Sequence, residues 1–498
     1  LSDPSLINGV AQLIREGHHL PGALKRVIHH HADVFLAMED PYLRARHEDI
    51  RHLGNKLYSA WRGLRNAREE DLPSTQTILV GAVVSVSDIA RVPIELLAGI
   101  VCFQGSNLSH TAVLANALGV PAVMGVGEIK GVQNRDAMVV DGNGGRVIIR
   151  PNASVLAEYE QLLKAEQQMK GELRALRDLP AQTVDGTTLK LYANSGLLAD
   201  ISPGLEAGAE GLGLYRTEIP FMVSDTFPSE DEQVAVYLQI LEAYGSKPVH
   251  MRVLDIGGDK PLPYFPIKEE NPALGWRGIR FCLDNSSLFM SQIRAMLRAA
   301  EGRDNLRIML PMVGSTSELA GFHALLNDAL QQLQEEGVNV RRPPVGIMVE
   351  VPSAISQLAS WRDQLDFISI GSNDLSQYLL ALDRNNPRVA ASCDHVHPAV
   401  LHEIARVISI AHQTDLPLSI CGEMSSDPIA VMLLLGMGVR TLSMSAAQLP
   451  KIKWLLRRVS LDNAIAVVAE ALLLNDAKQI RKLVADRLYV LGAGEILW

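Results

Sequence analysis

The 498 residues are enough for about three domains, and 47% hydrophobic with 20% charged residues is the balance of an ordinary globular protein. A net charge of −10, from 46 Lys and Arg against 56 Asp and Glu, argues against a nucleic-acid surface, and no apolar run approaches the roughly 20 residues of a membrane span. Four scattered cysteines (Cys102, Cys282, Cys393, Cys421) without a CxxC pair argue against a disulfide framework or zinc site and for a reducing cytoplasm.

Residues 1–71 read as helices. Leu6, Ile7, Val10, Leu13 and Ile14 recur at helical spacing, then Leu24, Val27 and Ile28, then Leu43, Ile50, Leu53, Leu57 and Trp61. Three consecutive histidines, His29 to His31, cannot share one helical face, which predicts a solvated surface rather than a metal site.

From Ile78 the pattern changes to short β-rich segments at Thr77 to Val84, Ile100 to Cys102, Met138 to Asp141 and Arg146 to Ile149, alternating with helical ones. This predicts a small α/β domain over 72–152. In its middle lies FQGSNLSHTAVLANALGVPAVMG, Phe103 to Gly125. A Gly-Ser-Asn loop ends at Ser109-His110, and Val113, Leu114, Ala117 and Leu118 then take helical spacing until Gly119-Val120-Pro121 stops it. His110 is thereby predicted in the first helical turn, where backbone N–H groups and the dipole favour negative charge, above all a phosphoryl group. A neutral imidazole, with pKa about 6.5, is a competent nucleophile there. From spacing alone, an ordinary first-turn histidine reads the same way.

Residues 153–180, rich in Leu, Glu, Lys, Gln and Arg, predict a long exposed helix of roughly 40 Å bracketed by Pro151 and Pro180. That is the form of a connector between rigid bodies, and a coiled-coil arm fits too. Over 181–498 one theme repeats: a short apolar strand, a loop, an amphipathic helix. The candidate strands are Leu189–Ala193, Gly211–Leu214, Val249–Leu254, Arg307–Pro311, Val345–Val349, Phe367–Ile370, Leu418–Cys421 and Arg440–Met444. Eight such units predict a (β/α)8 barrel of the TIM type, with its chemistry at the C-terminal ends of the strands.

The informative residues fall at those ends. Arg216 follows the second strand, Arg252 lies in the third, and NPALGWRGIR brings Arg277 and Arg280. Glu350 ends the fifth, Asn373-Asp374 the sixth with Arg384 after it, and Cys421-Gly422-Glu423 the seventh. A single strand-end arginine is ordinarily a surface ion pair, but several on one rim with two carboxylates would be costly to bury without a purpose. Guanidinium groups grip carboxylate and phosphate bidentately, which predicts a small, multiply anionic substrate. Glu350 and Asp374 offer hard oxygen ligands that suit Mg2+ rather than zinc. Cys421 is either a plain buried cysteine or an acid for a carbanion or enolate.

GSNLSHTAVLANALGVPA resembles the phosphohistidine signature of the phosphoenolpyruvate-utilising enzymes. LDIGGDKPLPYFPIKEENPALGWRGIR, ISIGSNDLSQYLLALDRNNPRVA and ICGEMSSDP resemble the barrel motifs of enzyme I of the bacterial sugar phosphotransferase system, and SNLSH and CDHVHPAV are closest to its nitrogen-related branch. The resemblance covers nearly the whole chain. It implies that His110 takes the phosphoryl group and that Arg216, Arg252, Arg277 and Arg384 bind phosphoenolpyruvate. It further implies that Glu350 and Asp374 ligate Mg2+, that Asn373 contacts the substrate phosphate and that Cys421 protonates the enolpyruvate. Residues 1–71 would dock a small histidine phosphocarrier of the HPr or NPr kind, and the barrel would form a homodimer. Against the family pattern, the chain begins partway through the helical domain, without its first helix, its leading strand or the GAF sensor of the nitrogen-related branch, so a fragment of a longer protein is expected. The overall expectation is a cytoplasmic phosphoenolpyruvate-protein phosphotransferase whose small domain swings on the connector. A synthase or dikinase of the same superfamily would need a nucleotide-binding domain, and no Gly-rich phosphate loop with lysine is found. A phosphorylation-state scaffold without turnover is the remaining alternative.

Overall fold

The computed structural model describes the chain apart from residues 1–9, 11, 18, 37–74, 85, 90, 105–110, 113–114, 116–119, 128, 130, 143, 225, 259, 261, 263, 266, 268, 385, 387 and 498. Two compact units meet within the chain at Leu163 and Lys164. No helix among the described residues is long and apolar enough to cross a membrane.

In the first unit, helix α1 (Leu20–Leu36) buries Ala23, Val27, Ile28 and Ala32 and leaves His29 and His30 exposed. The helices predicted from Leu43 to Trp61 lie outside the described residues. Strands β1 (Thr77–Gly81), β2 (Leu97–Cys102) and β3 (Ala122–Met124) form a parallel sheet in that order, and β4 (Met138–Asp141) pairs antiparallel with β5 (Arg146–Ile149). β3 went unpredicted because three residues after a proline carry too little periodicity to register. Ile100, Cys102, Ala115 and Val120 share its core with Val84, Ile89 and Leu97. Helix α2 (Ala153–Ala175) starts on Asn152, whose side chain accepts from the Val155 N–H at 2.9 Å.

The second unit is a closed eight-stranded barrel in which every pairing is parallel. Its strands are β6 (Lys190–Ser195), β7 (Leu212–Arg216), β8 (Val249–Arg252), β9 (Leu306–Leu310), β10 (Val345–Val349), β11 (Phe367–Gly371), β12 (Leu418–Cys421) and β13 (Thr441–Met444). β13 closes onto β6. Inside, Leu214, Met309, Met348, Phe367 and Cys421 pack together, while the main core fills the space between strands and helices. Among those helices are α3 (Glu230–Tyr244) and α4 (Ser286–Ala299), α3 starting with a Ser229–Glu232 capping box. Helix α5 (Ser372–Leu380) follows β11 directly, α6 (Pro428–Met437) follows β12, and α7 (Ala477–Val490) packs beyond the last strand.

Candidate active site

Parallel pairing sets Arg216 of β7 beside Arg252 of β8 at the C-terminal rim. Arg216 is exposed, whereas Arg252 is buried. A buried guanidinium needs counter-charge. Arg252 Nη2 pairs with Glu218 and lies 3.2 Å from Asp255 Oδ2. The fully buried Asp255 is a hub: Lys260 Nζ pairs with it, and Arg277 donates to both its oxygens at 3.3 Å. Burial alone would raise the Asp255 carboxyl, but the charges of Lys260, Arg252 and Arg277 overrule it and hold it well below the usual carboxylate range.

Arg277 continues the chain of contacts, donating through Nη1 to Asp374 Oδ1 at 3.2 Å and to the Tyr378 hydroxyl at 3.3 Å. Arg384 Nη2 stands 3.6 Å from the same Asp374 oxygen. Arg280 turns elsewhere, toward Glu318 at 3.5 Å and the Gly275 carbonyl. Asn373 and Asp374 were predicted to end the sixth strand; they lie instead in the first turn of α5, because β11 stops at Gly371 and the helix begins at once.

Glu350, one residue past β10, is fully buried. Its Oε1 accepts from the Met312 N–H at 2.7 Å, a direction set by Met312's left-handed φ of 60°. Its Oε2 is buried without a hydrogen-bond partner among the described residues. Burial, with Asp374 and Asp255 adding repulsion, pushes this carboxyl up to about 7 despite Arg252 and Arg277. An orphaned carboxylate oxygen close to a second carboxylate is what a divalent cation would relieve, so the residues fit Mg2+. Gly371 makes the room: a β-carbon there would lie 2.9 Å from Glu350 Oε2 and from Met348 Cγ.

Cys421 ends β12 beside Gly371 of β11, its thiol donating to the Ile370 carbonyl at 3.4 Å. Burial pushes that thiol up to about 11, so it keeps its proton at neutral pH. Gly422, with φ of +98°, then turns the chain so that the Glu423 N–H donates to Asn373 Oδ1 at 3.0 Å.

One gripping apparatus for an anion, one cation-seeking acid and one protonated thiol thus crowd the C-terminal end of a single barrel. A family profile described as "PEP-utilising enzyme, PEP-binding domain" matches residues 170–461, more than half of the chain. The chain belongs to the phosphoenolpyruvate-utilising enzyme family. The family's "mobile domain" matches residues 73–145 and its "N-terminal" domain residues 1–46. Within the family, the chain is 39% identical over 502 residues to the "Phosphoenolpyruvate-dependent phosphotransferase system" protein of Salmonella typhimurium (strain LT2), and 40% identical over 502 to that of Escherichia coli (strain K12). All of the chain is covered in each comparison, and it spans 66% of the length of each relative. The "Phosphoenolpyruvate-protein phosphotransferase" of Geobacillus stearothermophilus is 37% identical over 484 residues, covering 96% of this chain and 83% of that one. The chain is thus of the enzyme I type within the phosphoenolpyruvate-utilising enzymes.

In this family member the barrel brings Arg252, Arg277, Arg384, Glu350, Asp374, Asn373 and Cys421 onto one rim, with Arg216 beside Arg252. His110 lies outside the described residues; its neighbour Thr111 is helical and donates to the Val84 carbonyl at 2.6 Å. Sequence reasoning assigned nothing to Glu218, Asp255 and Tyr378, which hold the arginines, or to Lys260, which pairs with Asp255. The available signal was a carboxylate shortly after each of two strand-end arginines, Glu218 two residues after Arg216 and Asp255 three after Arg252.

Proposed function

We propose that the chain transfers the phosphoryl group of phosphoenolpyruvate to His110 and thence to a histidine of a small phosphocarrier of the HPr or NPr kind, releasing pyruvate, within a nitrogen-related phosphotransferase chain in the cytoplasm. The observation that carries this is the buried Arg252–Asp255–Arg277–Asp374 chain ending beside an orphaned Glu350 oxygen. Charges so costly to bury serve a preorganised anion site better than they serve stability. Arg216, Arg252, Arg277 and Arg384 grip the phosphate and carboxylate, and Arg277 also aligns Asp374. Glu350 and Asp374 would hold Mg2+, which supplies charge neutralisation at the phosphoryl oxygens when bound. Asn373 orients the phosphate, and His110 attacks in line, so catalysis is positioning and charge stabilisation. Cys421, protonated by virtue of burial, gives its proton to C3 of the enolate. The 72–152 region is the carrier of the phosphohistidine, 1–71 the docking region, 153–180 the linker, and the barrel region 181–498 the homodimer surface.

Incubation with radiolabelled phosphoenolpyruvate and Mg2+ should leave an acid-labile label on His110. Label elsewhere, no label, or labelling from ATP instead overturns the proposal.

A further inference from the structure

Arg481 lies on α7, beyond the residues matched by the phosphoenolpyruvate-binding profile and with no role in the chemistry above. The helix is seated by Ile480, Val484 and Leu488, all fully buried on one face. From beside that face Arg481 reaches two segments of the barrel rim. Its Nε and Nη2 grip Asp394 bidentately at 2.7 and 2.8 Å, and its Nη1 donates to Asp427 Oδ2 at 2.8 Å. His395 Nε2 meets that same Asp427 oxygen at 2.8 Å. Isolated exposed ion pairs contribute little, but this one is bidentate, partly buried and shared among four side chains.

What the network holds matters more than its strength. Asp427 closes the 3-10 turn Glu423–Ser426, its N–H donating to the Glu423 carbonyl at 3.2 Å, and it caps α6 by accepting from the Ile429 N–H at 2.9 Å. That turn begins directly after Cys421-Gly422 and carries the Glu423 N–H that holds Asn373. Asp394 lies on the segment that leaves α5 through Arg384.

We infer that Arg481 is a positioning residue: from outside the barrel it pins the β12 turn, and with it Cys421 and the Glu423–Asn373 contact, to the segment that follows Arg384. The inference rests on the function proposed above. Because the turn directly follows the proton donor at the end of β12, loss of the clamp misplaces the acid more than it weakens substrate grip.

The test compares the full chain with Arg481→Ala and Arg481→Lys, following isotope exchange between phosphoenolpyruvate and pyruvate, together with amide hydrogen exchange. Arg481→Ala should lower kcat about tenfold, as a small misplacement of a reacting group does, while KM for phosphoenolpyruvate moves less than about twofold. Arg481→Lys should recover part of the rate, and amide exchange should quicken over 394–397 and 421–427 only. Unchanged kcat, an equal loss through KM, or acceleration spread over the whole barrel overturns the inference. If the unaltered chain shows no isotope exchange, the proposed function falls, while the amide measurement still decides the clamp.

Discussion

At Cys421 the same burial that hides the sulfur also protonates it, which suits an acid and would disable a nucleophile. Cys421→Ala should leave phosphoenolpyruvate binding intact by calorimetry and cut pyruvate release by roughly 10²-fold or more, the usual contribution of a positioned acid. Full turnover in that variant removes the role. Glu350 poses the opposite problem, a charge that the apolar surroundings resist. Its folded-state pKa is raised to about 7, against about 4.3 for an unfolded glutamate. Between those values the folded state binds more protons, so without metal stability should fall as pH rises through that window. A cation needs the deprotonated form, so Mg2+ affinity should weaken as pH drops below about 7. Melting curves with and without Mg2+ across pH 5–8 check both signs, and Glu350→Gln should flatten the two responses.

Short connections after the strands do much of the positioning. β11 ends at Gly371 and α5 starts at Ser372, so Asn373 and Asp374 reach the rim from a helical first turn rather than a strand end. β10 and β11 are paired through Val349 and Ile370, which brings Gly371 against Glu350. Gly371→Ala should therefore fold, displace the Glu350 carboxylate and Met348, and cost about 1–3 kcal/mol from overpacking, with a loss of Mg2+ affinity measured by titration. Wild-type affinity in that variant means the carboxylate is not where the cation binds. Tight approach also explains Gly213 in β7, where a β-carbon would strike Ser443 and Tyr192 inside the barrel.

At the scale of the whole molecule, the proposed phosphoryl transfer from the barrel to His110 and from His110 to a carrier would require the small domain to serve two sites in turn. A cross-link from that domain to the barrel should permit at most one of the half-reactions. If label still passes from phosphoenolpyruvate through His110 to a carrier protein in the cross-linked chain, the swing is wrong.

The eight strands were legible because each is a short apolar run bounded by turn residues, and their predicted limits differ from the observed ones by no more than two residues. The strand-end residues were legible because barrel topology assigns every C-terminal strand end to one face before any distance is known. What could not be read were partners across long sequence gaps: Arg277 with Asp374, Arg481 with Asp394 and Asp427. Nor could the environments that set protonation, the dry pocket of Glu350 and the buried thiol of Cys421. Local pattern carries period and chain direction, so by itself it determined strand order and the rim. Ion pairing, desolvation and the room left by a missing β-carbon depend on which distant segments meet, and only the closed barrel decided that.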